Sequence, residues 1–211
     1  GLELLGVEHV DILSGSSLGG GIAWEMLALA PQYVTHFFAV ATDWKTTDWV
    51  IANCLIQERL LEGNNPLHDA RMHAMLCYRT PASLKEKFDR SINIERNLFN
   101  TETWLLHHGE KLQNRFTLEA YKLMNQLVKT IDICKDRGEF AQVMAPITTQ
   151  IHIIATDTDL YFVPEENRLT YEALKQMGKK TTYHEIHSIH GHDAFLIEFD
   201  QLDAFIRPCL S

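Results

Sequence analysis

A mostly parallel α/β sheet interrupted by a long helical insertion is the fold class this sequence predicts. Three observations carry it. Apolar runs rich in β-branched and aromatic residues at 9–13, 34–41, 150–156 and 181–187 read as strands. Helical spacing separates the first strand from the second and the third from the fourth, which is the element order of a parallel sheet. Between the second and third strands lie roughly a hundred residues with helical spacing alone, far more than one crossover needs.

In order, residues 1–8 read as the end of a helix, with Leu2, Leu4 and Leu5 apolar and Gly6 as a stop signal. Residues 14–21 are rich in glycine and serine and predict a turn. The spacing of Ile22, Trp24, Met26, Leu27 and Leu29 predicts a helix over 22–30, with Pro31 just past its end. The strand at 34–41 is apolar on both faces. From Thr42 the pattern changes: 48–61, 67–79, 81–88, 101–111 and 117–134 all read as helices. The strand at 150–156 carries Ile151, Ile153 and Ile154. A helix over 164–177 stops at Gly178, and the strand at 181–187 precedes a last helix over 194–206 with Phe195, Leu196, Phe199, Leu202, Phe205 and Ile206. The expected organisation is a core of 1–42 and 142–211, with 43–141 inserted as a helical lid. No internal repeat or low-complexity linker interrupts it.

Composition narrows the function. The chain has 211 residues, 45% hydrophobic and 22% charged, which is ordinary globular composition. Its net charge of −9 excludes a broad footprint for nucleic acid or an anionic membrane. Any anionic ligand must be met by a few placed arginines or lysines, or by helix N-termini. No apolar run reaches the ~18 residues of a membrane span, and no basic segment followed by an apolar one marks a secretory signal. Cys54, Cys77, Cys134 and Cys209 have no CxxC spacing, so free thiols in a reducing cytoplasm are expected. The chain opens on Gly1 rather than Met, so a preceding segment is expected.

The sharpest local motif is Gly15-Ser16-Ser17-Leu18-Gly19, a G-x-S-x-G run between a strand and a helix. A nucleophile on such a turn takes a strained backbone conformation, and glycines two residues either side let strand and helix approach. Ser17 would present its hydroxyl at a helix N-terminus, where the Leu18 N–H can serve an oxyanion hole. A serine nucleophile needs a base, and the base an orienting carboxylate, in the chain order Ser, Asp, His. Asp157 and Asp159 follow the third strand, and His192 follows the fourth.

These residues belong to segments that resemble the homoserine O-acetyltransferase family, acyltransferases of the α/β-hydrolase fold. The segments are Ser14-Gly15-Ser16-Ser17-Leu18-Gly19-Gly20, and Ala70-Arg71 through Cys77-Tyr78-Arg79-Thr80. They continue with Glu102-Thr103-Trp104-Leu105 and then Gly109, Lys111, Arg115 and Phe116. The last two are Asp159-Leu160-Tyr161-Phe162-Val163-Pro164 and Gly191-His192-Asp193-Ala194-Phe195-Leu196. The resemblance covers the chain almost end to end and corresponds to the C-terminal two-thirds of such proteins. It implies Ser17 as the nucleophile and His192 as the base. Asp159 rather than Asp157 becomes the orienting acid, because it precedes the aromatic residues and the proline. Arg71 matches the lid arginine that holds an amino-acid carboxylate, and Tyr78 a tyrosine lining the same cavity. Asp193 matches the acid that takes the substrate amine.

The sequence departs from the family pattern at Leu18, where Met is usual, at Ile22 in place of Gln, at Thr117 in place of Asp, and in a shorter segment between Leu61 and Leu67. The resemblance further implies acetyl-CoA as co-substrate, no bound cofactor, a homodimer, and an N-terminal half of the fold supplied by the rest of the protein or a companion chain. A plain esterase with the same three residues, a succinyl donor or serine acceptor, and a non-catalytic interaction module stand as alternatives.

The remaining candidates have plainer readings. His184, His187, His190 and His192 are crowded, but His184 and His187 face opposite ways on a strand and no ligand-spacing motif supports them, so no metal is expected. His107 and His108 read as solvated, Trp44, Trp49 and Trp104 as packing, and Asp193 also as a cap for the last helix.

Overall fold

The computed structural model describes residues 1–209. After a single 3₁₀ turn at Glu3–Leu5, the chain enters β1 (Val10–Ser16), turns sharply into α1 (Leu18–Leu29) and returns as β2 (Val34–Val40). Helices α2 (Asp48–Leu60), α3 (Pro66–Tyr78) and α4 (Pro81–Phe88) follow. A two-residue ladder of β3 (Ile92–Asn93) and β4 (Leu98–Phe99) precedes α5 (Asn100–Gln113), α6 (Leu118–Lys129) and α7 (Phe140–Met144). The chain then rejoins the sheet as β5 (Gln150–Thr156), crosses by α8 (Pro164–Gln176) to β6 (Thr181–Ile186), and ends in a 3₁₀ segment Gly191–Leu196, α9 (Phe199–Ile206) and a 3₁₀ turn Arg207–Cys209.

All four strands of the main sheet pair in parallel in the order β1-β2-β5-β6. Such a sheet must be covered on both faces. One face packs Phe37, Ala39, Ile151 and Ile153 against Trp24 and Leu27 of α1 and Leu174 of α8, with Trp24 edge-on to Phe37. The other face packs Phe38, Val40, Ile154 and Ile186 against Ala194 and the apolar side of α9, including Leu202, Phe205 and Ile206. His152 is buried in that second face, stacked on Phe38. Burial, with His36 and His184 nearby, pushes its imidazole down to about 4.

The strands at 34–41, 150–156 and 181–187 and the helices at 48–61, 81–88 and 164–177 lie where the sequence pattern puts them, within a residue or two. Several elements differ. The 1–8 helix end is only a 3₁₀ turn. The turn expected over 14–21 is one residue wide: β1 runs through Ser16, α1 starts at Leu18, and the strand's hydrogen bonds outweigh the turn preference of Gly and Ser. The helix expected over 117–134 stops at Lys129, because Ile131 and Ile133 pair their backbone with Thr46 and Trp44 instead. The helix expected over 194–206 is broken at Ile197–Glu198 into a 3₁₀ segment and α9. The β3–β4 ladder and α7 are too short for any periodicity to announce them.

Past β2, Asp43 is buried, and its carboxylate accepts hydrogen bonds from Thr170 Oγ1 and Trp44 N, both at 2.8 Å. Burial outweighs these bonds and pushes its pKa up to about 7. No helix among the described residues is long and apolar enough to cross a membrane.

Candidate active site

Ser17 sits alone between β1 and α1 with φ 52° and ψ −127°, a region that a side chain rarely adopts. Three contacts hold it there. Its N–H donates to Val40 O at the end of β2 (3.0 Å), and its carbonyl accepts from Thr42 Oγ1 (2.7 Å) and from Gly20 N (3.0 Å). Close approach requires glycine at two places. A Cβ on Gly15 would lie 2.5 Å from Gly19 O, and one on Gly20 would lie 2.2 Å from Thr42 Cγ2. Gly19, the second glycine of the motif, has open space around its Cα, so the packing role read for it from the sequence falls to Gly20.

His192 Nε2 is 2.9 Å from Ser17 Oγ, and its Nδ1 is 2.7 Å from Asp159 Oδ2. Asp159 is fully enclosed. Its other oxygen accepts from Tyr161 N (2.7 Å) and Phe162 N (3.0 Å), so the loop after β5 clamps the carboxylate in one orientation. Asp157, two residues earlier, turns outward to His187 Nδ1 (3.1 Å) and Ser188 N (3.1 Å). The His192 ring is boxed by Tyr78, Tyr161, Phe162 and Phe195, which keep it dry and fix its plane. A hydroxyl, an imidazole and a carboxylate in this sequence of contacts can move a proton off the hydroxyl as it attacks a carbonyl. The Leu18 N–H is the first of α1, and helix geometry leaves it without an acceptor inside the helix.

Above Ser17 and Leu18 opens a cavity of about 400 Å³. Arg71 and Tyr78 of α3 line it, as do Arg115, Tyr121 of α6 and Tyr161. Arg71 lies over the Tyr78 ring, 5.9 Å from its centroid, as their seven-residue spacing along α3 allows. Neither Arg71 nor Arg115 forms an ion pair among the described residues, although the cavity wall is otherwise aromatic, apolar or neutral. Burial raises the Tyr78 phenol well above its ordinary range and Tyr121 to about 12, so both hydroxyls stay protonated. Burial, and then the charge of Arg71, push His108 down to about 4.

Asp193 is not brought to this cavity. Its carboxylate is paired with Arg79 at 2.9 Å, both partly buried, and it makes no side-chain cap for the segment that follows. The amine-binding and capping roles expected for it are therefore not met in this geometry, because Arg79 has taken the charge. Arg115 was visible in the sequence only as part of an Arg-Phe pair, and it is the cavity's second arginine. The crowded histidines go to separate partners: His184 to Phe205, His187 to Asp157, His190 to Ser83, and His192 to Asp159. All four cysteines are free.

No family model matches the chain. It is 32% identical over 220 residues to a homoserine O-acetyltransferase of Chloroherpeton thalassium, a match covering 97% of this chain and 57% of that protein. A homoserine O-acetyltransferase of Thermus thermophilus is 34% identical, with 97% and 55% covered. The chain thus spans a little over half the length of these curated relatives. Among solved structures it is similar to a homoserine O-acetyltransferase from Bacillus anthracis (TM-score 0.87, 18% identity, 100% of this chain and 63% of that one). It is equally similar to a mutant of esterase E22 (TM-score 0.88, 17% identity, 100% and 63% covered). These likenesses show the α/β-hydrolase fold, and the resemblance read from the motifs holds along nearly the whole chain.

Proposed function

We propose that this chain belongs with the homoserine O-acetyltransferases and carries the nucleophile, base and orienting acid of an acyltransferase acting through an acyl-serine. The reaction is transfer of an acetyl group from acetyl-CoA to the hydroxyl of L-homoserine, in a cytoplasmic route to methionine. One observation carries this reading: Ser17, 2.9 Å from His192, lies under a cavity lined by two arginines that have no carboxylate partner. Arg71 is partly buried beside Tyr78 and Arg115 stands at the exposed rim, so the wall offers charge-assisted hydrogen bonds to an anionic ligand.

His192 Nε2 accepts the Ser17 proton as Oγ attacks the thioester carbonyl. The oxyanion is held by the Leu18 N–H. The C–S bond breaks, CoA leaves with the proton from His192, and Ser17 is acetylated. The homoserine hydroxyl then gives its proton to His192, attacks the acetyl carbon and departs as the ester while Ser17 Oγ recovers the proton. The Asp159 carboxylate accepts from His192 Nδ1–H and holds that tautomer throughout. Arg71 takes the acceptor's carboxylate beside Tyr78, and the aromatic walls limit water, which would otherwise hydrolyse the acyl-enzyme.

Esterase action is the second reading, and one observation favours it. No carboxylate lines the cavity among the described residues, so an acceptor's ammonium finds no counter-charge there while Arg79 holds Asp193. The deciding experiment mixes the protein carrying this chain with acetyl-CoA or succinyl-CoA, with and without L-homoserine, and follows free CoA, acylated Ser17 peptide and product. A CoA burst, a Ser17 acyl adduct and O-acetylhomoserine support the proposal. Rapid cleavage of neutral esters with no O-acylhomoserine supports the esterase, and activity that survives Ser17→Ala rejects both.

A further inference from the structure

We propose that His36, His152 and Cys209 form a binding site for one zinc-class divalent cation. The site lies on the sheet face covered by α9, toward the N-terminal ends of β2 and β5 and away from Ser17.

His36 Nδ1 is 3.1 Å from His152 Nε2, and Cys209 Sγ is 3.9 Å from the same nitrogen. One ligand atom from each of the three residues lies within 4.8 Å of the others, and this is the one such group of metal-binding side chains among the described residues. With Zn–N at roughly 2.0–2.1 Å and Zn–S near 2.3 Å, the edges of a tetrahedral site are about 3.3–3.6 Å long. Two of the three edges, 3.1 and 3.9 Å, lie within about 0.4 Å of those lengths, and the third is no longer than 4.8 Å, so closing on a cation requires Cys209 to move in towards His36.

The surroundings fit a built site. His152 is buried, its ring is fixed by stacking on Phe38, and its far nitrogen Nδ1 is 2.9 Å from Thr182 Oγ1. Thr182 Oγ1 can accept a hydrogen bond from Nδ1–H and so hold Nε2 bare as a ligand, the role that outer partners of metal-bound histidines play. Thiolate and imidazole together favour Zn²⁺ over Mg²⁺ or Ca²⁺. His36 and Cys209 are only partly buried, which leaves a path from solvent and a fourth position for water. On binding, the N–H shared between His36 and His152 moves to an outer nitrogen, the Cys209 thiol proton goes to solvent, and one Zn–S and two Zn–N bonds form. The cation would pin the turn Arg207–Cys209 to β2 and β5, where a hydrogen-bonded ladder is absent. His184, on the neighbouring strand, is occupied by Phe205 and stands outside the group.

Co²⁺ and Zn²⁺ titrations of the chain under reducing conditions test this. The expected result is one equivalent of Co²⁺ with a thiolate-to-metal charge-transfer band, displaced by Zn²⁺, and a melting temperature raised by roughly 5 °C at saturating Zn²⁺. Cys209→Ser should abolish the band, His36→Gln should weaken binding by more than tenfold, and Thr182→Val should weaken it by about 10- to 100-fold. Each variant's circular dichroism and metal-free melt report whether it folds, and the two ligand variants stand in for each other if one does not. Absence of stoichiometric binding, or a band unchanged in both Cys209→Ser and His36→Gln, overturns the proposal.

Discussion

Asp157 and Asp159 stand two residues apart on one loop and serve different histidines, Asp157 reaching His187 at 3.1 Å and Asp159 reaching His192 at 2.7 Å. Only the second contact leads on to Ser17. Asp159→Asn should therefore slow acylation of Ser17 by about 10³–10⁴-fold, through loss of the correct His192 tautomer. Asp157→Asn, which loses an exposed contact, should change the rate less than about threefold. Pre-steady-state release of CoA from acetyl-CoA measures both, and a larger loss in Asp157→Asn would remove Asp159 from the site.

The backbone at Ser17 holds strain that glycine would not feel. Ser17→Gly should stabilise the fold by about 1 kcal/mol, a rise in melting temperature of roughly 2–4 °C, while abolishing acyl transfer. Ser17→Ala should be equally inactive without the gain. Calorimetry of the two variants side by side gives the answer, and equal melting temperatures would show that the turn is unstrained.

Two adjacent glycines should respond in opposite directions. A methyl on Gly20 runs into Thr42, whose hydroxyl also anchors Ser17, so Gly20→Ala should cost about 1–3 kcal/mol and activity as well. Gly19→Ala has open space on a helix and should stabilise by about 0.5–1 kcal/mol. Urea unfolding midpoints distinguish them.

Arg71→Ala should spare the CoA burst and shift the fate of the acyl-enzyme from transfer to hydrolysis. Loss of a charge-assisted contact to the acceptor would cost about 2–4 kcal/mol, or roughly thirty- to a thousand-fold in acceptor use. The acetate to O-acetylhomoserine ratio is the readout. An unchanged ratio in both Arg71→Ala and Arg115→Ala would mean that neither arginine meets the acceptor.

Asp43 predicts a pH dependence of stability. Its folded pKa, raised to about 7, lies above its unfolded value near 3.8, so between these pH values the folded state binds the extra proton. Its contribution to stability is complete below about pH 4, falls as pH rises towards 7, and is flat beyond. Asp43→Asn keeps an oxygen for Thr170 and Trp44 and carries no charge, so its stability relative to the parent should rise from pH 4 to pH 7. Denaturant melts across that range check the sign, and a parallel pair of curves would contradict it.

The parallel sheet was legible because its strands are apolar on both faces, as Phe37-Phe38-Ala39-Val40 and Ile151 through Ala155 show. The order of Ser17, Asp159 and His192 could be read because each follows a strand. Asp193 could not be placed, because its partner Arg79 lies on a different element and sequence spacing carries no trace of that ion pair. The role of Gly20 was hidden for the same reason: the side chain that excludes a methyl there belongs to Thr42. The His36–His152–Cys209 group draws on two strands and the last described turn, with no local motif to announce it.

Ser17 and His192 are 175 positions apart, and β2 meets β5 only after the whole helical stretch between them has been made. Contacts of such sequence separation are slow to form, since the chain must close a long loop before any ladder bond rewards it. On refolding from denaturant, helical circular dichroism should therefore return well before the hydrogen bond between Ser17 and His192. During synthesis the Ser17 hydroxyl lacks its histidine partner until the segment carrying His192, 175 positions further on, has left the ribosome.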